Sequence, residues 1–177
     1  EVVGKGTEIL SKLKPEDTVE IMGPIGNGFD LNLKGKIALV SGGAGIAPMR
    51  YLCKKLKGEI DIYAGYRDEV FGIEDLKECA KNIYIATESG REGHKGFVTD
   101  NFHPENYDYV ISCGPTPMMK VVQKMCKDKT NLYLSLESRM ACGVGACTGC
   151  SCGNITGRKH VCKDGPVFKG EEVIFND

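Results

Sequence analysis

The chain has 177 residues, a formal net charge of −1, and a composition that is 41% hydrophobic and 27% charged. This length fits one large domain or a domain with an appendage, and the near-neutral charge gives no electrostatic reason to expect nucleic acid as a partner. The apolar runs are interrupted by glycines and are too short to cross a bilayer, so we expect no membrane association either.

The cysteine count and the start of the chain bear on the compartment. Nine cysteines, five of them close to the C-terminus, are an odd number that argues against a secreted disulfide framework. No signal peptide opens the chain, so we expect a cytoplasmic protein. The chain begins with Glu1 rather than methionine, which suggests that a part is missing upstream. Cys53, Cys79 and Cys126 fall in predicted helices, where we expect small core residues.

The predicted elements divide the chain into three parts. Residues 1–35 contain a short helix and a β-run but too little apolar sequence for a core, so we expect the end of another domain. Over residues 36–137, β-rich runs alternate with helix-like stretches, one of which is EVFGIEDLKECAK (69–81). This alternation predicts an α/β fold with a five-stranded, parallel, doubly wound sheet. The runs are KIALVSG (36–42), EIDIYAGY (59–66), NIYIATE (82–88), DYVISCG (108–114) and NLYLSLE (131–137).

Glycine-bearing segments follow two of these predicted strands. Backbone N–H groups of such turns can approach a phosphate where a helix begins, and ligands of open α/β sheets bind at the carboxyl ends of strands. The two strand ends therefore predict one dinucleotide crevice, with a purely structural glycine turn as the alternative. The residues are Gly42, Gly43 and Gly45 after the first strand, and Cys113, Gly114 and Pro115 after the fourth.

Both segments resemble the NAD(P)-binding domain of the ferredoxin-reductase family, in which a G-G-x-G-x-A-P turn and a C-G-P-x-P-M-M segment are typical. The resemblance implies that these six residues and Ile46 contact NAD. It also implies that Cys113 lies near the nicotinamide, although a small residue that merely fits there is an equal alternative.

In that family a flavin-binding β-barrel precedes the nucleotide domain. Residues 1–35 would then be the C-terminal remnant of an FAD-binding barrel, and Gly6 and Thr7 of VGKGTEIL would contact the FAD pyrophosphate. The alternative is a simple helix cap without a ligand. The arginine-aromatic-x-serine segment that holds the flavin in this family is absent, so FAD binding would need the barrel upstream of Glu1.

A cysteine-rich loop follows the predicted sheet. Cys142, Cys147 and Cys150 have the C-x4-C-x2-C spacing of plant-type [2Fe–2S] proteins. Two irons need four converging thiolates, and a glycine- and alanine-rich loop can wrap around the cluster and donate N–H groups to its sulfurs. We favour Cys162 as the fourth ligand, because Cys152 lies only two residues beyond Cys150. Zinc and a [4Fe–4S] cluster are the alternatives, although only one clear zinc knuckle is present.

The segments ESRMACGVGACTGCSC and HVCKDGPVF resemble the electron-transfer subunits of NAD-linked, heterodimeric dihydroorotate dehydrogenases. The resemblance covers nearly the whole chain and makes residues 138–177 a [2Fe–2S] lobe and residues 36–137 an NAD-binding domain. It implies an oxidoreductase component of pyrimidine biosynthesis, within a cytoplasmic heterotetramer. Electrons would pass from the FMN of a dihydroorotate dehydrogenase catalytic subunit through the cluster and FAD to NAD⁺.

Two other functions stay open at this point. One is a diaphorase-type iron–sulfur flavoprotein subunit of a hydrogenase or of a ferredoxin:NADP⁺ reductase. The other is a zinc-stabilised nucleotide-binding module without redox activity. In the favoured interpretation no side chain is a catalytic acid, base or nucleophile, because the cofactors carry the chemistry.

Overall fold

The computed structural model describes residues 2–175, so the outer limits of the predicted first and last domains lie outside it. The α-helices are α1 (Lys5–Leu10), α2 (Ile46–Lys55) and α3 (Thr116–Cys126). The strands are β1 (Lys36–Gly42), β2 (Glu59–Tyr66), β3 (Asn82–Thr87), β4 (His94–Lys95), β5 (Tyr109–Cys113), β6 (Asn131–Ser135), β7 (Ser151–Asn154), β8 (Lys159–His160), β9 (Val167–Lys169) and β10 (Val173–Ile174). Short 3₁₀ turns cover Gly43–Gly45, Glu74–Glu78, Pro104–Asn106 and Gly170–Glu172.

The main sheet has the strand order β4-β3-β2-β1-β5-β6-β9. Strands β1, β2, β3, β5 and β6 are the five predicted runs, and they pair in parallel, which confirms the α/β fold class. The short strand β4 extends one edge in parallel, and β9 extends the other edge antiparallel to β6. The sheet is therefore two strands wider than predicted, because two- and three-residue strands leave no periodic signal in the sequence.

Strand β1 lies at the centre of the sheet and is buried from Ile37 to Gly42. Both of its faces are covered, α2 on one side and α3 on the other, which is why its sequence is a continuous apolar run rather than an alternating one. Alternate side chains of the strand enter two separate cores. These cores include Ile37, Leu39, Met49 and Leu52 on the α2 face, and Ala38, Val40, Val110 and Val122 on the α3 face.

The stretch 69–81, which we expected to be helix-like, forms only the 3₁₀ turn Glu74–Glu78. Gly72 takes a φ of +72° just before it, a left-handed conformation that interrupts a regular helix. The turn is tied to α2 instead, because Asp75 accepts hydrogen bonds from Arg50 at 2.9 Å and from Lys54 at 2.5 Å.

Two of the three predicted core cysteines have a further role. Cys53, buried in α2, forms a disulfide with the half-buried Cys79 that follows the 3₁₀ turn. The sequence did not predict this bond, because the two positions are 26 residues apart. Cys126 is a buried core residue, as expected, and burial raises the pKa of its thiol to about 12.

The N-terminal part, residues 2–35, contributes little to either core. Helix α1 has no buried residue, and Leu33 is the one hydrophobic residue of this part that belongs to the buried core. Within the described part of the chain, the predicted β-run forms no strand, and an isolated bridge joins Asn27 to Pro166. Large apolar side chains are left exposed, among them Val3, Ile9, Leu10, Ile21 and Met22.

The C-terminal part forms its own small antiparallel sheet with the order β10-β7-β8. It is joined to the main sheet by β9, which pairs with β6 through Leu134 and Phe168. Between residues 2 and 175 no helix combines the length and the apolar character needed to cross a membrane.

Candidate cluster and nucleotide sites

The four cysteines predicted to be cluster ligands stand in two contacting pairs. The Sγ atoms of Cys150 and Cys162 are 3.2 Å apart, and both residues are buried. Cys142 Sγ accepts the backbone N–H of Cys147 at 3.4 Å and is also hydrogen-bonded to the Cys147 side chain. The two pairs are neighbours, since Gly145, between Cys142 and Cys147, lies against Lys163, which follows Cys162.

This arrangement fits a two-iron group. A [2Fe–2S] cluster takes four cysteine thiolates, two at each iron, and the structure supplies two pairs. A structural zinc would take four donors around a single centre, whereas the thiols here stand in two pairs.

The loop backbone is shaped to offer N–H groups to sulfur. Gly143 and Gly145 take φ values of +71° and +79°, which side-chain-bearing residues rarely adopt. The turns direct the N–H groups of Val144 and Cys147 at Cys142 Sγ, and these bonds lower the pKa of that thiol to about 6. Such N–H groups also stabilise negative charge on cluster sulfurs.

The second pair lies in a different environment. Hydrogen bonding to Cys150, and then burial, raises the pKa of the Cys162 thiol, while the N–H of Gly145 acts in the opposite direction. Cys152 lies in β7 opposite Lys159 of β8, and its side chain packs against the core on the α3 face. Burial, followed by the charges of Asp164 and Cys150, raises the pKa of the Cys152 thiol.

The two segments predicted to frame a nucleotide crevice are in direct contact. Strands β1 and β5 are neighbours, and Ser41 pairs with Cys113 at their carboxyl ends. A Cβ atom on Gly45 would lie 2.6 Å from the carbonyl carbon of Cys113, and one on Gly42 would lie 2.6 Å from Cδ of Pro115. Glycine is therefore required at both positions for the two strand ends to approach each other.

The remaining predicted nucleotide residues lie around the same contact. Gly43 takes a φ of +53° with open space beside it, and buried Ile46 begins α2. Gly114, at a φ of +156°, packs against the backbone of Gly42, and Pro115 caps the start of α3. The arrangement places two helix starts at one edge of the sheet, where N–H groups and helix dipoles favour a phosphate.

Cys113 is buried at this edge of the sheet, at the carboxyl end of β5. Burial raises the pKa of its thiol, which is hydrogen-bonded to Ser135, its register partner in β6. A thiol with a raised pKa stays neutral at pH 7, so Cys113 is a small polar group rather than a nucleophile. Sequence reasoning missed Ser135, because only the strand register identifies the partner of Cys113.

The two residues predicted to contact FAD lie in α1. Thr7 Oγ1 accepts the N–H groups of Val3 at 2.9 Å and Gly4 at 3.1 Å, and it donates to the carbonyl of Gly4 at 2.9 Å. Thr7 is thus the third residue of the helix rather than the cap before it, and its hydroxyl bonds back to the N-cap residue Gly4 as in a capping box. Gly6 is exposed, with open space beside it.

Comparison with known proteins gives consistent results over nearly the whole chain. The chain is 52% identical over 179 residues to the electron transfer subunit of dihydroorotate dehydrogenase B (NAD(+)) from Clostridium acetobutylicum, covering 99% of this chain and 73% of that protein. It is 48% identical over 180 residues to the subunit of the same name from Clostridium perfringens, covering 98% and 73%. The corresponding subunit from Caldanaerobacter subterraneus is 43% identical over 184 residues, covering 99% and 74%.

Two further comparisons concern the parts of the chain and the fold. Residues 137–174 match the family described as the iron–sulfur cluster binding domain of dihydroorotate dehydrogenase B. A chain from the solved structure of NADH-dependent reduced ferredoxin–NADP oxidoreductase superposes with a TM-score of 0.86 at 32% sequence identity, covering 98% of this chain and 67% of that one.

The difference between Cys142 and Cys152 predicts different reactivity in chelator-treated protein. Only the thiolate is nucleophilic, so alkylation of Cys142 should rise with pH through about 6 and then level off. Alkylation of Cys152, whose pKa is raised, should still be rising at alkaline pH. Peptide mass spectrometry after timed iodoacetamide treatment measures both residues in one sample. Superimposable pH profiles for the two thiols would contradict the assignment of the N–H donors to Cys142.

Proposed function

The chain belongs to the family of electron transfer subunits of dihydroorotate dehydrogenase B, and from this premise we propose the route by which its residues serve electron transfer. Electrons pass from the FMN of a catalytic subunit, through a [2Fe–2S] cluster and FAD, to NAD⁺. The reaction serves pyrimidine biosynthesis, and the protein acts in the cytoplasm. Identities of 52%, 48% and 43% to these subunits, against 32% to the ferredoxin–NADP oxidoreductase chain, favour this function over the diaphorase-type alternative.

One observation carries the proposal: a single strand joins the thiol loop to the nucleotide edge. Ser135 of β6 pairs with Cys113 on one side and with Val167 on the other. Val167 follows Cys162 by five residues, and the thiol loop begins seven residues after Ser135. Hydrogen-bonded backbone thus holds the two candidate sites in one arrangement, which supports a route in which FAD connects the cluster with NAD⁺.

The residues of this chain have distinct tasks in the proposed route. Cys142, Cys147, Cys150 and Cys162 hold the cluster, and the N–H groups of the loop stabilise the charge on its sulfurs. The chemistry that the cluster supplies when bound is one-electron exchange. The glycine turn after β1 and the start of α3 would bind the NAD pyrophosphate, and neutral Cys113 would be available to the nicotinamide. Gly6 and Thr7 would meet FAD only together with a flavin-binding barrel.

The function is tested by reconstituting the subunit, with the flavin-binding barrel that FAD needs included, with an FMN-containing dihydroorotate dehydrogenase catalytic subunit. We expect NADH to form from dihydroorotate and NAD⁺ only when both subunits are present, measured by absorbance at the NADH band together with orotate production. Absence of electron transfer from dihydroorotate in the reconstituted pair would refute the assignment. Transfer to ferredoxin instead would support the diaphorase-type alternative.

The choice of the fourth cluster ligand is tested by a pair of serine substitutions. Cys162→Ser removes a thiol from the buried pair with Cys150, so we expect loss of most of the iron, acid-labile sulfide and visible absorption. Cys152→Ser is the matched control two residues beyond Cys150 and should keep all three. If the Cys152 variant loses its iron while the Cys162 variant keeps it, the ligand assignment is wrong.

The close approach of Gly45 to Cys113 predicts an effect on NADH binding. A methyl group in Gly45→Ala would collide with the Cys113 carbonyl, so the two strand ends must move apart. We expect NADH affinity to fall about tenfold, equivalent to about 1.4 kcal/mol, in a fluorescence titration. Gly28→Ala adds the same methyl group in open space and should bind NADH normally. Equal affinity in the two variants, with unchanged thermal midpoints, would exclude Gly45 from the site.

A further inference from the structure

Residues 22–27 of the N-terminal part, here called the linker segment, are hydrogen-bonded to the segment that follows Cys162. The backbone N–H of Asn27 donates to the carbonyl of Gly165 at 2.6 Å, and the N–H of Val167 donates to the carbonyl of Asn27 at 3.4 Å. The side-chain amide of Asn27 donates to the carbonyls of Lys163 at 3.0 Å and Asp164 at 3.2 Å. Three successive carbonyls of this segment therefore accept hydrogen bonds from one residue.

The preceding residue makes the approach possible. Gly26 takes a φ of +70°, and a Cβ atom there would lie 3.2 Å from the carbonyl oxygen of Cys162 and closer still to that of Gly165. Only a residue without a side chain allows the linker backbone to lie against these carbonyls. Gly26 and Asn27 together thus contact the chain from Cys162 to Val167.

The same linker also reaches the first half of the thiol loop. A Cβ atom on Gly143 would lie 2.9 Å from Cε of Met22 and 3.7 Å from Cδ1 of Ile25, so these side chains cover the backbone next to Cys142. The linker segment 22–27 consequently touches the chain beside both cysteine pairs. This contact is additional to the sulfur pairs and to the pairing of β9 with β6.

The segment after Cys162 is a tight turn that carries this thiol. The N–H groups of Lys163 and Asp164 both donate to the carbonyl of His160, at 3.1 and 2.8 Å, and Asp164 accepts the N–H of His160 at 2.7 Å. These bonds fold the turn on itself. The N–H of Val161, which donates to the Cys150 carbonyl at 3.0 Å, fixes one end of the turn, strand β9 fixes the other, and Asn27 binds the carbonyls between them.

We propose that Asn27 is a positioning residue for the cluster: its side-chain amide holds the turn that carries Cys162, so that this thiol stays aligned with Cys150. The inference rests on the proposed function, in which Cys162 is a cluster ligand. Asn27 acts through the backbone of residues 163–165 and does not touch the cluster itself. Groups that orient ligands in this way are as much a part of a metal site as the ligands.

The experiment uses the subunit purified in complex with its catalytic partner. Asn27→Ala deletes both side-chain donors, and Asn27→Asp keeps the shape but turns an acceptor toward two carbonyls. Loss of a ligand-orienting contact typically costs 10–100-fold in metal affinity, so we expect iron release to a ferrous chelator to be at least about tenfold faster in both variants. The electron paramagnetic resonance spectrum of the dithionite-reduced cluster should also change. The flavin content should not.

Asn32→Ala is the matched control. The Asn32 amide donates only to Asp30, within its own turn, at 3.0 Å. This variant should release iron at the wild-type rate and keep the wild-type spectrum. If Asn27→Ala does not fold, Asn27→Asp and the Gly26→Ala variant, in which a methyl group would push the linker off Cys162, give the same readouts.

The outcomes separate this inference from the function on which it rests. Wild-type iron release and an unchanged spectrum in the Asn27 variants would overturn the positioning role. The positioning role would also be overturned if iron release were faster only in proportion to a lower midpoint of thermal unfolding and the spectrum were unchanged. A wild-type complex without iron would instead refute the proposed function, because no cluster would be present to position.

Discussion

The antiparallel pairing of β6 with β9 is the interaction on which the rest of the molecule depends. Through this pairing, in which Leu134 lies opposite Phe168, strand β6 of the nucleotide sheet is also hydrogen-bonded to the cysteine lobe. Backbone hydrogen bonds between paired strands leave little freedom for one unit to move against the other. Leu136 continues the pairing by donating its N–H to the carbonyl of Pro166 at 2.9 Å. The lobe is therefore built onto the sheet edge rather than attached by a flexible tether.

The two candidate sites favour different protonation states of the cysteine thiol. At the thiol loop, backbone N–H groups favour the anionic form of Cys142, which is what a metal ligand needs. At the sheet edge, burial favours the neutral form of Cys113, and Ser135 gives its thiol a hydrogen-bond partner. The same side chain is thus an anion in one place and a neutral spacer in the other. The environment that the fold provides, not the residue type, decides between the two.

Sequence patterns predicted the parts of the structure that rest on local or periodic signals. The five parallel strands appear as apolar runs because β1 and its neighbours are covered on both faces. The spacing of Cys142, Cys147 and Cys150 indicated a thiol loop because short-range geometry alone brings those residues together. The domain limits and the individual contacts to NAD and FAD remain predictions.

Contacts between distant segments could not be predicted in this way. The bonds of Asn27 to the turn after Cys162 span 136 and 137 residues, and nothing near position 27 indicates them. The disulfide of Cys53 with Cys79 depends on how the 3₁₀ turn packs on α2, which replaced the expected helix. The division of the thiols into pairs likewise depends on the fold and not on spacing.

The order in which the chain is synthesised gives the β6–β9 pairing a further consequence. The β7–β8 hairpin and the bond from the Val161 N–H to the Cys150 carbonyl bring Cys162 to Cys150 locally, whereas β9, which ties the lobe to the sheet, needs a finished sheet edge. Contacts between distant segments form late, because the entropy of closing a long loop must be overcome before they are gained. We therefore expect the cysteine lobe to be fixed on the sheet edge only after the nucleotide domain has folded. Iron would then be delivered to a nearly native protein, so a folding defect in the sheet would appear in the cell as a shortage of cofactor.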